Sequence, residues 1–255
     1  MLIRRTIESV RTQNWSALLS ELVIVVLGIF IAIQVDSWWQ GQADLRQEQV
    51  YIQRLIADFD KDRIILADSV ELAKIRRGYA DLLIEVASNP SAARQQPGKF
   101  LAAIDQAAYT YTPAVNNHTF EELRSTGNIG LLRNAELKSA LFGYYQYDET
   151  TQQWIELFLK VEFEHFRLSA GILDNDIHIW TQDYIESIGP AGASTPDIPD
   201  SLMPTVMTAA QRLSEKPELV AFLPRSRRVQ IDLMKMNGQR KKLAEQILAI
   251  LRDED

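Results

Sequence analysis

The chain has 255 residues, 46% of them hydrophobic and 24% charged, with a formal net charge of −7 and no cysteine. That length can bury a sizeable core, either as one larger domain or as an anchor plus one domain. The acidic balance speaks against nucleic acid as the main partner, because a phosphate-binding surface needs a basic excess; the lack of cysteine excludes disulfides and thiolate chemistry.

The first predicted element is "ELVIVVLGIFIAIQVDSWW", residues 21–39. Residues 22–33 carry no charged or strongly polar side chain, and the wider window 18–35 is interrupted only by Ser20, Glu21 and Gln34. As a helix this window is roughly 27 Å long, close to the ~30 Å hydrocarbon core of a bilayer. Trp15 precedes it and Trp38 and Trp39 follow it, spaced so that the indoles reach the two interfacial belts. A membrane anchor, a cleaved export signal and a buried soluble helix all contain such a run. The bracketing indoles and the lack of a small-x-small site after Ile31 favour the uncleaved anchor.

Arg4, Arg5 and Arg11 lie before the window against one acid, Glu8, while Asp36 follows it and the next basic residue is Arg46. The positive-inside bias therefore predicts a short cytoplasmic tail over 1–15 and a membrane helix with its aromatic junction over 16–39. For a protein of a bacterial inner membrane this makes residues 40–255 periplasmic. Such a tail is short for an enzyme or a signalling output domain. Ala17, Glu21, Gly28 and Ala32 share one side of the helix, and Gly28-x-x-x-Ala32 permits close approach of a second helix. Glu21 reads either as a headgroup-level carboxylate or as a polar group on that seam.

Beyond the junction the pattern is helical almost throughout. Ile52, Leu55, Phe59, Ile65 or Leu66, Val70 and Ala73 form an apolar stripe among charges, with neither proline nor glycine between Gln42 and Arg77. The membrane helix either continues outward through this stretch or bends at "DSWWQGQ". A loop is expected near 88–98, a short helix over 100–109, and a helix through Arg124 with Thr119 and Glu122 as its capping box, ended by Gly127 and Gly130. Asn134 is placed to cap a long helix from 135 to about 168. A further helix is expected over 174–188, then a Gly/Pro-rich linker near 189–203, then helices over 204–213 and 218–252, the last divided at Pro224. No segment alternates as a strand does. The expected fold is all-α: one N-terminal transmembrane helix followed by an antiparallel helical-bundle ectodomain.

Candidate chemistry is sparse. Glu162 and His165 stand three apart, the spacing by which di-iron bundles place two ligands on one face. Those sites need the step twice, and Asp174, Asp176 and His178 do not supply the second copy. A histidine on a helix face satisfied by a neighbour is the simpler reading. His118, Glu121 and Glu122 would line a polar pocket with Thr110–Thr112, although capping explains them as well. No phosphate loop, zincin motif or nucleophile elbow occurs, and no cofactor is implied. Residues 216–252 hold nine Lys or Arg against three acids. They serve either as a docking patch or, more simply, as partners for acids such as Asp58, Asp60 and Asp62.

The segment "LLSELVIVVLGIFIAIQVDSWW" followed by "YIQRLIADFDKD" resembles an uncharacterised family of bacterial single-pass membrane proteins of about this length. The landmarks are Glu21, Gly28, Gln34, Asp36 and Trp38, then Tyr51, Leu55 and Asp58. The stretch "TFEELRSTGNIGLL", 119–132, is also similar. The resemblance implies the architecture and no catalytic residue. The expected role is protein–protein interaction in the bilayer, as a scaffold, an accessory subunit of another membrane protein or a homo-oligomer. The alternatives are a periplasmic small-molecule sensing module and a membrane-tethered enzyme or metal-binding bundle.

Overall fold

A computed structural model describes residues 15–175, 177 and 198–254. The basic tail with Arg4, Arg5 and Arg11, the side chain of Trp15, and the stretch holding Asp176, His178, the end of the expected helix at 188 and most of the linker lie outside the described residues. Among the described residues the regular structure is entirely helical. In chain order these are α1 (Trp15–Ser88), α2 (Pro97–Gln106), α3 (His118–Ser125), α4 (Ala135–Ser169), α5 (Met203–Ser214) and α6 (Pro217–Glu254), with short 3-10 turns at Pro90–Arg94, Asn128–Leu131 and Asp200–Leu202. The chain forms two compact units, Met1–Tyr51 and Ile52–Asp255.

α1 is helical without a break through "DSWWQGQ". In the first unit Gln40 donates to the Asp36 carboxylate one turn back at 2.8 Å.

The second unit is an all-helical bundle. α6 runs antiparallel to α4: Ser226 meets His165 and Arg240 meets Asp148. It is also antiparallel to α1, since Arg252 meets Asp60 and Arg227 meets Asp81. α1 and α4 run parallel, with Asp62 beside Tyr144 and Ala73 clustered with Phe158. Parallel helices need a connection that returns the chain, and residues 107–117 provide it as a non-helical strap. Extended backbone advances about 3.3 Å per residue against 1.5 Å in a helix. Seven steps from Tyr109 to Asn116 thus match the fourteen helical steps between Arg76, which lies over the Tyr109 ring, and Asp62, which holds Asn116.

The main core gathers Tyr79, Leu83 and Val86 of α1, Phe100, Leu101 and Ile104 of α2, Val206 and Leu213 of α5, and Leu219 and Leu223 of α6. Each buried large apolar side chain contributes roughly 1.5–3 kcal/mol. The segment expected as a loop at 88–98 is more ordered than its composition suggests. Ala92 and Ala93 of its 3-10 turn are buried in this core, and Pro97 opens α2.

Four local expectations have clear outcomes. Asn134 caps α4, its Oδ1 accepting from Glu136 N at 2.8 Å and Leu137 N at 3.0 Å. Gly127 follows α3 with φ +78°, a left-handed conformation that glycine adopts without steric cost. The Thr119/Glu122 capping box does not form: the cap position is Asn117, and the Thr119 hydroxyl donates instead to Asp58. Pro224 does not divide α6 either. Its cost of about 3 kcal/mol is offset by packing on both sides, where Leu219, Leu223 and Val229 are buried.

Candidate functional site

The first unit presents an apolar surface with nothing over it. Between residues 22 and 35 every large apolar side chain is 49–67% exposed. The segment is the one described helix long and apolar enough to cross a membrane, by length and composition. Trp38 and Trp39 are similarly exposed and meet edge to face at 5.3 Å. Adjacent positions point about 100° apart on a helix, so the pair covers a broad arc of its surface. Glu21, Gly28 and Ala32 are exposed, and a Cβ added at Gly28 would meet nothing within 4 Å.

The second unit is organised around the strap. An extended segment among helices cannot pair its own N–H and C=O groups, and buried ones need partners. Side chains supply them. Gln230 donates to the carbonyls of Ala107 and Tyr109, Thr110 N donates to Glu162 at 2.7 Å, Arg240 donates to the Pro113 carbonyl at 2.9 Å, and the Tyr145 hydroxyl donates to the Asn116 carbonyl at 2.8 Å. Buried polar residues on α1, α4 and α6 thus stand where the strap needs them.

At its far end the strap joins α3 to α1 through three rungs. Arg54 and Glu122 form a bidentate pair at 2.6 and 3.2 Å. Thr119 donates to Asp58 at 2.5 Å, and Asn116 donates to Asp62 through both its backbone N, 2.8 Å, and its side chain, 2.6 Å. Residues 54, 58 and 62 are four apart, hence on one face of α1. Phe120 stacks on Tyr145 at 4.3 Å between the rungs. The two stretches "YIQRLIADFDKD" and "TFEELRSTGNIGLL" therefore meet.

Asp62 is fully buried, and its second oxygen accepts from the Tyr144 hydroxyl at 2.8 Å. Burial raises its pKa, with the Asn116 and Tyr144 hydrogen bonds and the Arg240 charge acting against that shift. Burial and the nearby Asp62 carboxylate hold the Tyr144 hydroxyl protonated. Arg240 is also fully buried, bonded to Asp148, to the Pro113 carbonyl and to Asn237.

Glu162 and His165 have separate protein partners. Burial raises the Glu162 pKa, opposed by its bonds from Thr110 and by Arg76. His165 is fully buried, its Nε2 2.9 Å from the Ile104 carbonyl. A carbonyl only accepts, so Nε2 carries the hydrogen. Burial lowers the ring's pKa, and the neutral ring accepts at Nδ1 from the Ser226 hydroxyl, 3.1 Å away. Among the described residues no three His, Asp or Glu side chains are grouped to hold a metal ion. His118 is exposed, Glu121 pairs with Arg124 and Glu122 with Arg54. Among the acids offered as partners for the basic tail of α6, Asp60 receives Arg252 at 2.9 Å.

Asp62, Asn116, Tyr144, Gln230 and Arg240 are the residues that sequence reasoning did not single out as a group. The one local signal is the absence of helical period over "YTYTPAVNN", which marks a segment whose backbone needs outside partners.

No curated protein and no solved structure matches the chain. A family of unknown function, DUF6090, matches residues 21–162, more than half of the sequence. That span takes in the apolar helix, all three rungs and α4 as far as Glu162, and on this match the chain belongs to the DUF6090 family.

Proposed function

We propose that this is a single-pass protein of a bacterial inner membrane, with residues 1–15 in the cytoplasm and 40–255 in the periplasm. It works by holding other polypeptides together, as a homo-oligomer or as the accessory subunit of another membrane protein, without chemistry of its own. The observation that carries the reading is the exposed apolar face of residues 22–35. Water is a poor solvent for so continuous an apolar helix, whereas a bilayer covers it at no cost. The order of basic and acidic residues around the segment supports the orientation.

Assembly is assigned to the side of α1 bearing Glu21, Gly28 and Ala32. Small residues four apart let two helices come close, and a carboxylate on that side finds a polar partner only in another chain or at the headgroups. The test is the mass and composition of the native complex extracted with its surrounding lipid. The expected result is a particle of more than one chain whose mass falls when Gly28 and Ala32 are both replaced by Leu. A monomer without other subunits, in lipid and at native abundance, contradicts the proposal.

A further inference from the structure

Between α4 and α6 lies an open groove of about 410 Å³, within the size range of small-molecule sites. α4 lines it with Tyr147, Trp154 and Phe158, and α6 with Arg228, Asp232 and Lys235. Residues 147, 154 and 158 recur at seven and four, and 228, 232 and 235 at four and three, so each set occupies one helix face. Thr150 and Thr151 complete the first wall and Met236 the second, so one wall is mainly aromatic and the other mainly charged.

The two walls differ in how far their groups are already engaged. Phe158 is nearly buried at the base, whereas Trp154 remains 52% exposed. The Arg228 Nε–H is taken by both oxygens of Asp232, at 2.9 and 3.1 Å. The Lys235 ammonium is exposed and has no ion-pair partner among the described residues. Two cations and one carboxylate leave the groove with a net charge of +1 on a chain whose formal charge is −7.

We propose that this groove binds a small amphipathic organic anion, one with a flat apolar body and a single carboxylate or similar group. The body stacks on Trp154 and Tyr147, and the anion sits on Lys235. Aromatic faces accept flat apolar groups in offset or edge contact. One unpaired cation beside them selects a monoanion over a neutral or cationic molecule of the same shape. The inference does not depend on membrane orientation or on assembly, and it fails or stands separately from them.

The test uses the full chain in lipid nanodiscs, photolabelled with 4-benzoylbenzoate, an aromatic carboxylate, and mapped by peptide mass spectrometry. Labelling should saturate and fall on residues 147–158 or 228–236. Lys235→Glu should raise the half-saturating concentration about 3- to 10-fold, the range expected for reversing one exposed charge. Asp232→Asn removes the competing carboxylate, so its labelling should saturate at a lower concentration. Neutral benzophenone should respond to neither change. Labelling that does not saturate, that spreads over the membrane helix, or that ignores both charge changes overturns the proposal. So does equal competition by neutral benzophenone, which would make the groove a seat for an acyl chain or an apolar peptide.

Discussion

Replacing Asp62 by Ala should lower the stability of the second unit by about 3–5 kcal/mol, the cost of leaving buried polar partners without their acceptor. At roughly 2–4 °C per kcal/mol for a unit of this size, the unfolding temperature falls by about 10 °C. The loss follows from the geometry. Asp62 accepts from the Asn116 backbone, the Asn116 side chain and the Tyr144 hydroxyl, and alanine leaves the buried Tyr144 hydroxyl and both half-buried Asn116 donors without this acceptor, beside a small void. Asp62→Asn separates charge from shape. The amide oxygen still accepts from Asn116, and its NH₂ donates to the Tyr144 oxygen, so this variant should stay within about 1–2 kcal/mol of the wild type. The pH dependence supplies a second readout. The folded-state pKa of Asp62 is raised by burial, so between its ordinary value and that raised value the folded chain holds more protons than the unfolded one. Stability from this group is therefore present at acid pH and lost as pH rises through the window. Asp62→Asn should flatten that slope, and urea midpoints across the acid range measure it.

The second large effect lies in the first unit. Ile24→Arg combined with Leu27→Arg places two cations one turn apart near the middle of the apolar window. Each exchange costs about 3–4 kcal/mol of membrane insertion, enough together to abolish stable anchoring. The double variant should be released by alkaline carbonate while the wild-type chain stays with the membrane. A double variant that resists carbonate as the wild type does would mean that residues 22–35 do not hold the protein in the bilayer. The second unit should be untouched, because neither side chain belongs to its core.

The helices were legible in the sequence because their signals are local. A stripe from Ile52 to Ala73, Asn134 before an apolar-periodic run, and an apolar window edged by indoles each announce an element within one or two turns. The strap was not legible. Its backbone is satisfied by single polar side chains on three helices distant in sequence, and Asp62, Glu162, Gln230 and Arg240 each look like ordinary surface positions in a helical pattern. Nothing in a four-residue spacing says that one such residue is buried and waiting for a chain segment fifty or more residues away. Thr119 shows the same limit. Its spacing to Glu122 satisfies a local capping rule, but Asp58 offers a charged acceptor, and the tertiary bond prevails. Pro224 failed as a helix breaker for a related reason. Propensity acts on one position, and the burial of Leu219 and Leu223 before it and Val229 after it outweighs it.

The absence of native cysteine makes the decisive measurement clean. Single cysteines at Ser9 and at Ser88 would be tested in spheroplasts with a membrane-impermeant maleimide. The account predicts that Ser88→Cys is labelled from outside in intact spheroplasts and Ser9→Cys only after lysis. Labelling of Ser9→Cys from outside, or protection of both positions until lysis, would contradict a single crossing with the bundle in the periplasm.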